Sequence, residues 1–409
     1  MFAGQLLLSQ NFPFEPSLGG PVWAGVCAAL SLAYLGLFLV YRMAWDRLPD
    51  LHEGNPLPPE NPPFVSVVLP ARNEASAIGR CVSALLRQDY PHACYEILLI
   101  DDHSTDGTAD IARLTSGNDP RLKVIDLASE LERDPKHGAF KKKAIEIAIS
   151  KAQGEVIAST DADAVVGESW LSRIISARQR NRWKLVAGPV TFFSAHGFLS
   201  RFQDLDLISL VGIAGASIRM GFYNLCNGAN LAYDKAAFEA VDGFRDIDNL
   251  PSGDDMMLMH KIGRRFPGQV GFLKDQRGIV RTDVEPDIWA LLQQRVRWAS
   301  KSTHYEDWRI TGILAAVWLY NFSIPMNLIL GAVDPVWFRI GIVQFLVKAV
   351  ADIVFQLPVV RFFSKTRLLW SFLPLEIAHI LYVVVIGPWS TFAPYKWKGR
   401  HVPAARRSS

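Results

Sequence analysis

Only four cysteines, Cys27, Cys81, Cys94 and Cys226, occur in the 409-residue chain, and none forms a Cys-x-x-Cys pair. That scatter excludes a zinc ribbon or disulfide framework and suits buried thiols in a reducing compartment. Net charge is scarce too: 43 Lys+Arg against 40 Asp+Glu leave +3. No basic stripe with interleaved aromatics runs through the central region, so nucleic acid is not an expected partner. Internal repeats are lacking, and the one biased tract is a proline linker. Charged residues make up only 20% of the chain against 50% hydrophobic, which is apolar for a soluble protein.

Long apolar runs account for that balance. Residues 22–41 are an uncharged stretch long enough to cross about 30 Å of hydrocarbon. Arg42 and Arg47 follow it, which places its far end in the cytoplasm. No basic residue precedes the run and no small-x-small site follows, so it reads as an anchor rather than a signal peptide. Three more blocks lie at 310–333, 336–358 and 368–389. The middle one carries Arg339, Lys348 and Asp352, which are expensive at membrane depth unless they face protein or reach an interface. Three crossings after a cytoplasmic domain would put the basic tail (Lys396, Lys398, Arg400, Arg406, Arg407) outside, against the positive-inside tendency. Either one block is re-entrant or interfacial, or the tail breaks the tendency.

Between the apolar ends lies an alternating pattern. A linker at 49–63, rich in proline, reads as extended and semi-rigid. Strands are expected at 64–69, 95–100, 122–127 and just before Asp161, with helices at 75–88, 106–115 and 140–152. Such alternation predicts a parallel, right-handed βαβ sheet. Further on, 185–193 reads as one strand, 198–220 as a long helix, 224–233 as a loop and short strand, and the segment 251–258 starts a helix. The expected organisation is an N-terminal tail and anchor (1–48), the linker (49–63), an α/β domain (64–285), an amphipathic interfacial helix (286–309), membrane helices (310–390) and a basic tail (391–409).

Polar residues gather where such a sheet binds ligands, at the carboxyl ends of its strands. Asp161 and Asp163 end a buried run; side chains two apart in an extended segment share a side, so both can approach one Mg²⁺, which takes one or two carboxylates and fills its shell with water and phosphates. Asp-x-Asp also occurs at Asp204/Asp206 and Asp246/Asp248, so the pattern alone is weak. Asp101 and Asp102 close another strand; they either accept from a base or ribose, or belong to a loop in which Ser104 or Thr105 caps the next helix. Lys141, Lys142 and Lys143 open a helix where the macrodipole disfavours cations, which fits an anionic ligand or an exposed charge cluster. Asp254 and Asp255 sit at a helix amino end, suited to a carboxylate that stays ionised and equally to plain N-capping. Gln-x-x-Arg-Trp occurs twice, at Gln179-Arg182-Trp183 and at Gln294-Arg297-Trp298, the second on the amphipathic stretch 288–301.

In this order the motifs resemble those of the membrane-bound family-2 glycosyltransferases, the group of cellulose, chitin, hyaluronan and poly-N-acetylglucosamine synthases and ceramide-type glucosyltransferases. The resemblance covers about residues 60 to 305 and selects the second Gln-x-x-Arg-Trp copy. It implies the GT-A (Rossmann-like) nucleotide-sugar fold flanked by transmembrane helices, and inverting transfer from a nucleotide diphosphate sugar, UDP-linked, onto a polysaccharide or lipid acceptor. It also implies an integral multi-pass protein of the cell membrane with a cytoplasmic catalytic domain. Carried over residue by residue, Ala71 and Glu74 hold the nucleoside and Asp101 or Asp102 reads the base. Lys141 lies near the diphosphate, with Lys142 as second choice because Phe140 stands where the family has Gly. Asp161 touches ribose or sugar, and Asp163 holds Mg²⁺ or Mn²⁺. Asp255 is the general base, although Gly-Asp-Asp replaces the usual Thr-Glu-Asp. Gln294 and Arg297 steady the leaving diphosphate, and Trp298 stacks on the acceptor. The rival reading is a non-catalytic nucleotide-sugar-binding membrane scaffold.

Overall fold

The first apolar run lies inside a 28-residue helix, α1 (Gly19–Asp46). In the computed structural model the described residues are 19–50, 61–131, 140–193, 196–247, 253–299, 307–398 and 400–402. Most of the proline linker and Ser408 therefore lie outside them. After the linker the expected alternation is met: β1 (Val65–Ala71), α2 (Ile78–Leu86), β2 (Tyr95–Asp101), α3 (Thr108–Ser116), β3 (Leu122–Asp126), α4 (Leu127–Leu131), α5 (Phe140–Lys151) and β4 (Val156–Ser159). Val65, Val67, Val68 and Leu69 on β1, and Ile97 to Ile100 on β2, have no exposed surface. These strands are covered on both faces, which explains runs that are continuous rather than alternating.

The second half departs from a simple parallel sheet. It continues as α6 (Trp170–Asn181), β5 (Leu185–Ala187), β6 (Val190–Phe192), α7 (Phe198–Arg219), β7 (Leu231–Asp234), α8 (Lys235–Glu239), α9 (Asp254–Arg265), β8 (Val270–Phe272) and β9 (Val280–Thr282). Seven strands form one sheet in the order β3-β2-β1-β4-β7-β5-β8. β1 runs parallel to β2 and β4, whereas β7 is antiparallel to both β4 and β5. The sheet is mixed, not parallel throughout.

The single strand expected at 185–193 breaks at Gly188-Pro189, and its second part, β6, pairs with β9 in a separate two-stranded sheet. Proline cannot donate to a ladder. The gap is filled by Asn230, fully buried, whose Nδ2 donates to the Pro189 and Gly278 carbonyls, both at 2.8 Å. A Cβ on Gly188 would lie 2.3 Å from that side chain, so only glycine fits.

The chain then forms α10 (Ile288–Ala299), α11 (Trp308–Leu330), α12 (Pro335–Phe362), α13 (Phe372–Phe392) and a short hairpin, β10 (Tyr395–Trp397) and β11 (Arg400–Val402). Four helical segments are long and apolar enough to cross a membrane, at α1, α11, α12 and the α13 region. The charges on α12 are placed as their expense requires. Arg339 is exposed near the helix start. Lys348 is buried, its Nζ 2.7 Å from Asp352 Oδ2 and paired also with Glu376 of α13, while Tyr34 of α1 donates to Asp352 Oδ1 at 2.7 Å.

Contacts at the helix ends bear on the parity problem. α1 ends on the α/β domain, where Lys274 Nζ donates to the Trp45 carbonyl. α12 ends there as well, with Phe362 5.6 Å from the Trp45 ring. α11 starts there, with Arg309 over the Phe222 ring. At the start of α13, Arg201 of α7 donates to Ser371 Oγ at 2.8 Å; at its end, Ile386 packs with Val296 of α10 and with Tyr395. Both ends of α13 therefore meet the α/β side, and the tail following it is a hairpin packed on that domain.

Two outcomes follow from this packing. In cells, a cysteine at exposed Pro394 is expected to react with an impermeant maleimide only after the membrane is opened, whereas one at Val333 reacts in intact cells; labelling of Pro394→Cys in intact cells would make α13 a crossing. Lys348→Met strands two buried carboxylates and should destabilise by about 3–5 kcal/mol, read as a lower melting midpoint in detergent. Adding Asp352→Asn and Glu376→Gln should recover most of that loss.

Candidate active site

Four chain segments converge at the carboxyl ends of β1, β2 and β4. The Asp161–Asp163 pair arrives differently from the expected pleat: Ala164 N–H donates to the Asp161 carbonyl at 3.0 Å, so a turn past the end of β4 presents both carboxylates. Asp254 and Asp255 open α9 behind Gly253, whose φ of +85° favours glycine. Asp255 accepts from Gly228 N–H (3.0 Å) and its neighbour Met256 N–H (2.8 Å), which fixes its carboxylate in the cleft wall. Asp254 lines the same wall and pairs with Lys141. Lys141 Nζ stands 3.2 Å from Asp161 and 3.5 Å from Asp254, bridging the two motifs. Burial works against its charge, but Asp161, Asp254 and Asp255 more than reverse this and hold its pKa above the ordinary lysine value.

Two cavities share this wall. The first, of about 560 Å³, is lined by Ala71, Glu74, Asp102, Lys141, Asp161, Asp163, Gln294 and Arg297 among others. The second, of about 600 Å³, takes in Asp161, Asp163, Asp255, Gln294, Arg297 and Trp298 and extends into the apolar helices. Two expected residues stay out of both. Asp101 accepts from Ser104 N–H at 3.1 Å and fixes the loop after β2. Lys142 is 2% exposed and donates to the Ile247 carbonyl, so the second choice among the lysines points away from the cleft. The alternative Ser104/Thr105 cap is not formed either: Gly107 precedes α3, and Ser104 Oγ instead accepts from Asn73 N–H.

Of the two Gln-x-x-Arg-Trp copies, the first is architectural. Arg182 caps α6 at φ +54°, and Trp183 fills the space over Gly271, where a Cβ would lie 2.0 Å away. The second lies on α10: Gln294 donates to Glu285 at 2.6 Å, and Trp298 carries the Arg295 guanidinium 4.2 Å from its ring centre.

A family model described as Glycosyl transferase family 2 matches residues 66–238, and one described as Glycosyl transferase family group 2 matches residues 156–395, more than half of the chain. The chain belongs to glycosyl transferase family group 2. Glycosyltransferase AglE of Haloferax volcanii is 34% identical over 135 residues, 33% of this chain and 42% of AglE. A beta-monoglucosyldiacylglycerol synthase of Nostoc sp. is 34% identical over 120 residues, 29% of this chain and 24% of that protein. The chain thus spans less than half the length of these curated relatives. A solved mannosyltransferase, PcManGT from Pyrobaculum calidifontis in complex with GDP-Man and Mn2+, superposes with TM-score 0.53 at 19% identity, covering 90% of this chain and 99% of that one. The fold is GT-A.

Several residues of the cleft had no signal in sequence. Lys398, on the terminal hairpin, pairs with Glu74 across 324 positions, and its carbonyl accepts from Arg72 Nε at 3.2 Å. Asp283 and Glu285 line both cavities from the segment before α10. Arg295 sits inside the motif but is not one of its fixed positions. Asp206, in an Asp-x-Asp copy read as incidental, lies 2.8 Å from Arg295 in the second cavity; its neighbour Asp204 pairs with Lys365.

Among the described residues, no group of three or more His, Cys, Asp or Glu forms a closed metal cage. A Mg²⁺ or Mn²⁺ ion shared with a diphosphate needs only one or two carboxylates. Asp163 fits that demand. Burial, then repulsion from Asp161 and Glu74, pushes its pKa up from 3.8 to about 6, the state of a carboxylate short of a cation. Burial raises Glu74 as well, with Lys398 opposing.

The sign of the Asp163 shift gives a measurable pH dependence. The folded chain keeps this proton up to about pH 6 while the unfolded chain releases it near 3.8. Stability therefore falls as pH rises through that window. In metal-free protein the melting midpoint of wild type relative to Asp163→Asn should drop between pH 4 and 6.5. A difference that is flat with pH would remove Asp163 from this charge cluster.

Proposed function

We propose that this glycosyltransferase is an inverting, divalent-metal-dependent enzyme that moves a sugar from a nucleoside diphosphate sugar, UDP-linked, onto an acceptor hydroxyl. It is held in the cell membrane by its apolar helices with the α/β domain on the cytoplasmic side. The observation that carries the reading is the position of Asp255, fixed by two backbone N–H groups on the cavity wall, opposite cations that also line the first cavity, the donor pocket.

Each residue then has a task. Ala71 lines the nucleoside end of the pocket, and the Asp102 carboxylate, braced by His103 Nδ1 at 2.9 Å, reads the base. Glu74 borders the same pocket, and Asp161 accepts from ribose or donor sugar. Lys141, Arg297 and Gln294 face the diphosphate and stabilise negative charge as it grows there. A divalent ion held by Asp163 would add further neutralisation of the diphosphate. The acceptor oxygen approaches the anomeric carbon from the face opposite the diphosphate. As its bond to that carbon forms, Asp255 takes its proton, and the bond to the diphosphate oxygen breaks with its electron pair leaving on the nucleotide. Inversion at the anomeric carbon follows from that geometry.

Asp255→Asn should lower turnover by about 10²–10⁴ while UDP affinity in Mn²⁺ stays within a few-fold, the pattern of an interaction used mainly in the transition state. Asp254→Asn removes a partner of Lys141 and should chiefly weaken UDP binding. If both substitutions reduce turnover alike with UDP binding intact, the base lies elsewhere. EDTA should abolish transfer and Mn²⁺ restore it; transfer that persists in EDTA would overturn the metal dependence.

A further inference from the structure

The second cavity does not stop at the carboxylates. From Asp255 it runs between α1, α7, α11 and α13, with Tyr41, Leu210, Ile213, Ile313, Val317 and Ile386 on its walls. Three of those four helices are candidate membrane spans. Leu314 both lines the cavity and is 45% exposed, so the cavity reaches the outer face of α11. An apolar slot open to the side of such helices is suited to hydrocarbon chains and poorly suited to a hydrated glycan.

One polar group interrupts the slot just below the site of chemistry. Arg295 is 1% exposed, its Nη2 lies 2.8 Å from Asp206 Oδ2, and His379 Nε2 lies 3.9 Å from Asp206 Oδ1. Arg295 Nε and Nη1, and His379 Nδ1, are buried without a hydrogen-bond partner among the described residues. Buried donors of this kind are expensive to leave unmade, so a ligand that satisfies them gains accordingly. The charge of Arg295 is already balanced by Asp206. The remaining cations on the wall, Lys141 and Arg297, also line the first cavity, and the other charged groups on it, Asp161, Asp163, Asp254, Asp255, Asp283 and Glu285, are all carboxylates. A lipid phosphate here would meet carboxylates in a poorly solvated space.

We infer that the acceptor is a membrane lipid with an uncharged, hydroxyl-bearing headgroup, its chains in this slot and its headgroup hydrogen-bonded by the Arg295–Asp206–His379 group. This rests on the proposed transfer reaction and supplies its acceptor class. The lipid hydroxyl oxygen forms the new bond to the anomeric carbon, its proton passes to Asp255, and the nucleoside diphosphate leaves.

Photolabelling tests this without donor or turnover, so it succeeds or fails independently of the transfer assay. Full-length protein in phosphatidylcholine vesicles is irradiated with diacylglycerol carrying an acyl-chain diazirine, or with phosphatidic acid bearing the same chains. Diacylglycerol should label residues 207–214 and 310–318 about tenfold more than phosphatidic acid does, a ~1.4 kcal/mol preference, and unlabelled diacylglycerol should compete. Leu210→Trp and Ile313→Trp, each filling the slot, should remove most of that labelling with UDP–Mn²⁺ binding unchanged. Equal or stronger labelling by phosphatidic acid, or labelling unaffected by competitor in the wild type, would overturn the assignment.

Discussion

The site depends on one cation placed among carboxylates. Asp161, Asp163, Asp254, Asp255 and Glu74 all border a single cleft, and their mutual repulsion would open it without a counter-charge. Lys141 supplies that charge from the first turn of α5, touching the turn after β4 on one side and the start of α9 on the other. Lysine at a helix amino end is electrostatically unfavourable by itself. The position makes sense only with the acidic cluster it faces. Burial, together with the repulsion from Asp161 and Glu74 that Lys398 only partly offsets, is what still holds the Asp163 pKa up.

A second buried charge group has the corresponding role among the apolar helices. Lys348, Asp352, Glu376 and Tyr34 tie the middles of α1 and α12 to the start of α13, in apolar surroundings where an uncompensated charge would be expensive. Ion pairs in apolar surroundings contribute more to a unique arrangement than to net stability. Here the arrangement matters, because α1 and α13 are also walls of the acceptor slot.

The central α/β pattern was legible because buried strands and amphipathic helices leave local signatures. β1 to β4 and the helices between them lie within a few residues of their expected places. Ordered motifs likewise separated Trp298, in the cleft, from Trp183, under Gly271. What failed was non-local. The antiparallel entry of β7, and the split of 185–193 around Asn230, are decided by partners tens of residues away. Lys142 resembles Lys141 in sequence, but one step around α5 turns it to the Ile247 carbonyl. Lys398 reaches Glu74 only because α13 returns to the side from which it started, and no periodicity records that.

The division of the cleft also has an evolutionary consequence. Residues that line the first cavity come mostly from loops at the strand ends of the α/β domain and from α10, while those that line the slot come mostly from α7 and the apolar helices. The two sets share Lys141, Asp161, Asp163, Asp283, Glu285 and, from the second Gln-x-x-Arg-Trp copy, Gln294 and Arg297. Under the proposed reaction, drift in the helices can exchange one acceptor for another with little change to the cavity proposed for the activated sugar. The reverse holds for changes in the loops. Such a chain can diversify its products one half at a time.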